Sequence, residues 1–273
     1  MLGAIIGDIV GSRFEFIEDF PRDKNFAFFA YNSRPTDDSF MTLAVADALL
    51  NCHGDYENLG AEAVKSMVKV AEAHPDTGWG LHFYNWLFKD KKHEPYNSYG
   101  NGAGMRVSPV AWIANDEEVL KTLSKSVTEV SHNHPEGVQG AEAVALATFL
   151  ARKGASKETI RARLTKYYPK LKSSEFTVNN LRYSYGYDLS GEWITCRGSV
   201  PQAIEAFLES ENFEDAIRNA VCIGGDSDTI GAMTGAIAEA YYGVPDELKT
   251  VALSMLTPDL RAIYDRFYEF LHK

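Results

Sequence analysis

Residues 223–235 read IGGDSDTIGAMTG. From Thr229 onward the stretch has the small-residue spacing of a helix, with Gly231 and Gly235 one turn apart. An N-terminal stretch, GAIIGDIVG at residues 3–11, uses the same device: Gly3, Gly7 and Gly11 line up opposite a face of Ile5, Ile6, Ile9 and Val10. A glycine inside a helix costs about 1 kcal/mol against alanine, so a repeated cost implies that another backbone comes very close. The two stretches are therefore expected to form helices that touch at the centre of the protein.

Working outward, apolar residues recur at helical spacing almost everywhere. Met41, Ala44, Val45, Ala48 and Leu49 make one stripe, and Leu120, Leu123, Val127 and Val130 make another behind the cap-like pair Asn115 and Asp116. Further helices are expected over 61–73, 137–152, 156–167, 202–210, 213–222, 229–242 and 246–255, with a last one running to the C-terminus. Pro201 reads as a first-turn proline. Strand-like alternation is confined to short pieces at 25–31 and 175–187, and the polar, aromatic stretch 172–198 reads as a surface excursion or lid. The expectation is an all-α fold, with residues 1–273 forming one domain.

Composition narrows the function. The 273 residues carry a net charge of −11, with no basic block. A broad nucleic-acid groove draws its affinity from many Lys and Arg contacts to phosphate, so that class is disfavoured. Asp8 interrupts the N-terminal apolar run, which lacks a basic lead-in, so neither a membrane span nor a secretory signal fits. Cys52, Cys196 and Cys222 have neither zinc-ligand nor redox spacing and read as reduced, structural thiols. A cytoplasmic monomer is the expectation.

The acids pose the sharper problem. Asp226 and Asp228 would point about 200° apart if both were helical, so they can converge only from the loop and cap before the helix. The stretch PTDDSFMTL poses the same case: Thr36, Asp37 and Asp38 sit directly before a helix. Helix capping explains one acid at each start, since a cap oxygen accepts backbone N–H groups at the positive end of the dipole. It does not explain two. Clustered carboxylates repel unless cations intervene, and a hard oxygen set suits Mg²⁺, Mn²⁺ or Ca²⁺ better than zinc. An EF-hand starting at Asp226 would put Gly231 at its sixth position, but Ile230 and Ile237 would occupy ligand places.

GAIIGDIVGSRFEF, TDDSFMTLA, YGNGAGMRVSP, SHNHPEGVQGAEAVALATFLAR and the long block SVPQAIEAFLESENFEDAIRNAVCIGGDSDTIGAMTGAIAEAYYG occur in that order. Together they resemble the ADP-ribosylglycohydrolase family, which includes the dinitrogenase-reductase-activating glycohydrolases. The resemblance runs from residue 3 to about residue 243. It implies a single, almost wholly helical domain with two Mg²⁺ ions in a central cleft, Mn²⁺ being an alternative. Carried onto matching positions, it implies a metal shell of Thr36, Asp37, Asp38, Asp226, Asp228 and Thr229. Glu15, in GSRFEF, matches the family's acid beside the second metal.

Other motifs fall around this shell. Gly100, Asn101, Gly102 and Gly104 are dense enough to bring backbone N–H groups close to a phosphate, as an anion-binding nest does, with Ser98 and Met105 as flanking candidates. The resemblance singles out His132 as a ribose contact; His134 reads as structural, and no third ligand supports a zinc site. Aromatic neighbours Phe14 and Phe16 are expected to raise the pKa of Glu15 and suit it to proton transfer. Asp8 reads as support for the ligands, and Trp79, Trp86, Trp112 and Trp193 as packing. The expected activity is Mg²⁺-dependent hydrolysis at the anomeric ribose carbon of an ADP-ribosylated protein or small-molecule ADP-ribose conjugate, with Glu15 or Asp38 as acid/base. Two other readings use the same acids: an inactive ADP-ribose-binding module, and a metal-dependent phosphohydrolase acting on a pyrophosphate.

Overall fold

A computed structural model describes residues 1–17, 19–184 and 191–273. Among them run fifteen α-helices: α1 (Leu2–Gly11), α2 (Asp37–Asn51), α3 (Leu59–Ala73), α4 (Leu81–Phe88), α5 (Gly102–Met105), α6 (Ser108–Ile113), α7 (Glu117–Thr128), α8 (Pro135–Arg152), α9 (Lys157–Leu164), α10 (Val178–Ser184), α11 (Cys196–Leu208), α12 (Phe213–Ile223), α13 (Ser227–Tyr242), α14 (Asp246–Ser254) and α15 (Pro258–Leu271). No sheet forms among the described residues; an isolated antiparallel bridge joins Gly100 to Thr195. The fold is all-α, and no helix among the described residues is long and apolar enough to cross a membrane.

The glycine stretches do meet. Every residue of α1 is buried, and α13 is buried from Ser227 to Ala238. The helices run antiparallel in a four-residue register. A methyl group on Gly3 would fall 2.1 Å from the Gly235 carbonyl oxygen, one on Gly7 1.9 Å from that of Gly231, and one on Gly11 2.4 Å from that of Ser227. These neighbours are backbone, which cannot swing aside as a side chain can. Ile5, Ile6, Ile9 and Val10 project the other way into one hydrophobic core with Leu43, Ile217, Ile230 and Ile237. Around this pair, α8, α11 and α12 pack on α13, while α2 lies against α1, α3 and α15.

Three local expectations need correction. Residues 25–31 are irregular, and α10 occupies 178–184 of the other strand-like stretch, whose end at 185–187 lies outside the described residues. The supposed excursion at 172–198 holds α10 and the start of α11, with 185–190 again outside the described residues. Pro201 is not in a first turn. The helix begins at Cys196 because the Thr195 hydroxyl accepts from Gly198 N at 3.1 Å. Proline leaves the Arg197 carbonyl without its intrahelical N–H donor, and Lys170 Nζ donates to that oxygen at 3.3 Å instead.

Candidate active site

The glycine register sets the end of α1 beside the start of α13, and Asp8 lies one turn before that end. Both oxygens of its buried carboxylate are engaged. Oδ1 accepts from Thr36 Oγ1 at 2.6 Å, while Oδ2 accepts from Thr36 N at 2.9 Å, Ser39 N at 3.1 Å and the Ser39 hydroxyl. Asp8 thus supplies α2 with the acceptor that its first N–H groups lack and fixes where that helix begins. Thr36 becomes the N-cap, and Asp37 and Asp38 fall in the first turn.

The second pair arrives from α13. Asp226 is its N-cap, at ψ 69°, outside the helical region, and Asp228 lies in the first turn. The break between them turns the two carboxyl groups onto each other, as the sequence geometry requires. Asn101 Nδ2 donates to Asp226 Oδ2 at 2.6 Å, and Thr229 N donates to Asp228 Oδ1 at 2.9 Å. Thr229 Oγ1 donates to Asp38 Oδ2 at 3.2 Å, joining the two remote stretches. The other Asp38 oxygen, Oδ1, is buried with no hydrogen-bond partner.

Two groups of three acids result. Asp8, Asp38 and Asp228 offer oxygens all within 4.8 Å of one another, as do Glu15, Asp226 and Asp228. Asp228 belongs to both. Burial drives these groups toward the protonated form, to about 6 for Asp8 and Asp226 and well above the usual range for Asp37, Asp38 and Asp228. Glu15 is pushed to about 8 by its burial, then by the charges of Asp228 and Asp8. An orphaned buried oxygen, facing carboxyl groups and an all-oxygen donor set fit hard divalent cations. Glu15, Asp37, Asp38, Asp226 and Asp228 line a cleft of about 390 Å³, shared with Phe16, Phe83, Tyr96, Gly100, Gly102, Met105, Arg106 and His132.

The sequence model of the ADP-ribosylglycohydrolase family matches residues 1–271. The chain belongs to the ADP-ribosylglycohydrolase family. It is 26% identical to the ADP-ribosylhydrolase ARH3 of Gallus gallus, over 76% of this chain and 70% of that protein. It is 28% identical to the ADP-ribosylarginine hydrolase Tri1 of Pseudomonas putida (strain GB-1), over 97% of this chain and 77% of that one. Among solved structures, the chain titled "ADP-ribosylglycohydrolase-related protein complex" shares the fold, with a TM-score of 0.68 at 23% identity, covering 98% of this chain and 96% of the other.

In this ADP-ribosylglycohydrolase, the expected site residues do not all stand alike. Asp38, Asp226, Asp228 and Glu15 fall within the three-acid groups, whereas Asp37 is half-buried on the cleft wall and belongs to neither. Thr36 turns its hydroxyl to Asp8, and Thr229 turns its own to Asp38. Ser98 lies outside the cleft lining, in an adjoining groove with Tyr99 and Arg197. Amides of Gly100, Asn101, Ala103 and Gly104 bond to Ser98 Oγ, Ile194 O, Gly100 O and Asn101 O, so among the residues expected to form the nest only the Gly102 amide is outside these bonds, and the loop otherwise offers the cleft a bare glycine surface. The EF-hand alternative fails, because α13 already runs from Ser227. His134 caps α8, its Nδ1 accepting from Glu136 N at 3.1 Å.

The clamp that Asp8 makes on α2 and the cleft residue Arg106 escape sequence reasoning. Asp8 shows a signal, an acid between two seam glycines, but its four donors come from residues 28 to 31 positions away. Arg106, in GMRVSP, looks like an ordinary surface arginine and is 1% exposed.

Proposed function

We propose that this enzyme is a Mg²⁺-dependent hydrolase that cleaves the glycosidic bond at the anomeric ribose carbon of ADP-ribose conjugates and releases ADP-ribose. The observation that carries the reading is the pair of three-acid groups sharing Asp228, with Asp38 Oδ1 left unpartnered inside a cleft. Asp38 and Asp228 would hold one cation with Asp8 beside them; Asp226, Asp228 and Glu15 would hold or flank the second. When bound, the cations supply positive charge that stabilises these carboxylates and acidifies water. Thr36, Asp37 and Thr229 complete the polar wall.

The chain's own groups supply the proton transfer. Cleavage breaks the bond from the anomeric carbon to the acceptor atom through an oxocarbenium-like state, so the leaving atom needs a proton and the carbon needs a water oxygen. Glu15, whose burial favours its protonated form, can give its proton to the leaving atom. A carboxylate of the cluster, Asp38 foremost, takes one from the attacking water, and as the product leaves that proton returns to Glu15 through cleft water, which restores both groups. The bare surface at Gly100 and Gly102 lets the ligand approach His132 closely, since a methyl on Gly102 would lie 3.2 Å from His132 Nε2. Asn101 acts on the site through Asp226.

The same reading takes residues 1–273 as one catalytic domain. Three buried free cysteines suit a reducing compartment, and we place the enzyme in the cytoplasm, acting as a monomer. Its substrates are ADP-ribosylated proteins or small-molecule conjugates, and the name of the Pseudomonas relative puts arginine-linked ADP-ribose first among acceptors to try. A panel of defined conjugates assayed with and without Mg²⁺ tests the reading: free ADP-ribose is expected as the product, only with metal, and Asp38→Ala should lower kcat by about a thousandfold or more with helicity intact. Release of AMP, or an unimpaired Asp38→Ala rate at saturating Mg²⁺, would overturn it.

A further inference from the structure

Arg106 is, by volume, the largest fully buried side chain among the described residues, and no ion pair reaches it among them. It lies against the cleft with the Phe83 ring centroid 5.2 Å from its guanidinium carbon. Its Nη2 donates to Ser131 Oγ at 2.6 Å and points at His132 Nδ1 at 3.4 Å. Ser131 Oγ lies 2.8 Å from the same ring nitrogen. A guanidinium can only donate. Ser131, having accepted from Arg106, has its own hydroxyl proton to give, and the nitrogen beside it is His132 Nδ1. Two donors therefore converge on one atom, which must present a lone pair.

The ring's remaining proton then sits on Nε2, at the opposite edge. That edge faces the glycine surface: added methyl groups on Gly102 and Gly100 would stand 3.2 and 3.6 Å from Nε2. His132 is 4% exposed and lines the cleft. An N–H that opens onto a cleft is available to an acceptor on a ligand.

We propose that Arg106 and Ser131 are positioning residues that lock His132 with its proton on Nε2, aimed into the cleft as a single hydrogen-bond donor for an oxygen of the ADP-ribose half of the substrate. The ligand part rests on the cleft being the ADP-ribose site; the lock itself does not. Burial and the neighbouring Arg106 charge also hold the ring's pKa well below its usual value, so the donor stays uncharged beside the acids. His132 is thereby neither a base nor a metal ligand, and the site favours ligands presenting a lone pair at this point.

The test reads the proton directly. In full-length protein labelled with ¹⁵N-histidine, long-range proton–nitrogen correlation at neutral pH, assigned by the signal lost in His132→Asn, should show Nδ1 bare and Nε2 protonated. Ser131→Ala should lose that single-tautomer pattern and bind ADP-ribose about fivefold to tenfold more weakly, and Ser131→Thr should restore both. Arg106→Met, if it folds, should follow Ser131→Ala. Comparing ADP-ribose with ADP locates the contact: a loss confined to ADP-ribose puts it on the terminal ribose, and a loss shared with ADP puts it on the diphosphate half. A wild-type proton on Nδ1, or a Ser131→Ala protein unchanged in tautomer and affinity, would overturn the proposal. Wild-type protein showing the tautomer but not binding ADP-ribose would leave the lock standing and overturn the functional reading.

Discussion

The two ends of the α1–α13 pair treat negative charge in opposite ways. At the far end Glu239 accepts from the Met1 amino group and from Gly3 N, so its charge has a partner. At the cleft end Asp8, Asp38, Asp226, Asp228 and Glu15 crowd together, and Asp38 Oδ1 has none. Glycine contact joins the two ends. A seam with no side chains to adjust holds the acids where repulsion would otherwise drive them apart, which is how a stable core carries a site that is unfavourable without its ligand.

Breaking the seam should have the largest effect. Gly7→Ala puts a methyl 1.9 Å from the Gly231 carbonyl oxygen, and separating the helices is expected to cost about 3 kcal/mol or more in urea unfolding, with activity lost alongside. Ordinary stability for this variant would mean that the seam is not rigid.

Next comes pH. In the folded, metal-free protein Glu15 holds its proton to about 8, and Asp8 and Asp226 hold theirs to about 6, whereas an unfolded chain releases such protons near pH ~4. Between those limits the folded state binds more protons than the unfolded one, so stability falls as pH rises from about 4 to about 8. This is the reverse of a salt-bridged carboxylate. Saturating Mg²⁺ should flatten the fall, raising the melting temperature by more at pH ~8 than at pH ~5. An equal shift at both would count against cation binding by these acids.

The smallest effects sharpen the contrast between the ends. Glu239→Gln should lose about 1–2 kcal/mol, because it removes the acceptor charge of a satisfied group. Asp228→Asn should raise the stability of metal-free protein by a comparable amount, because it removes one of two facing carboxyl groups. Thermal melts in EDTA distinguish the signs; two losses would make the ends equivalent.

Much of this was legible in the sequence because it depends on local spacing. Four-residue glycine steps revealed the central pair, and Thr36-Asp37-Asp38 with Asp226-x-Asp228 revealed acids at two helix starts. What escaped depends on partners far along the chain. Asp8 is a clamp on α2 only because α1 is held against α13. Which of the Gly100–Gly104 amides are taken up within the protein could not be told locally, because one of their acceptors, Ile194 O, lies about ninety residues away. Pro201 could sit inside α11 because Lys170 supplies the missing donor, which no proline rule contains.

The central claim is that two remote stretches deliver their oxygens to a shared pair of cations. Calorimetric titration of metal-free protein with Mn²⁺ tests it most directly, with Asp38→Asn and Asp228→Asn alongside. Two equivalents are expected for the wild type, one for Asp38→Asn and no tight binding for Asp228→Asn, the residue common to both acid groups. Unchanged stoichiometry and affinity in Asp228→Asn would contradict the account.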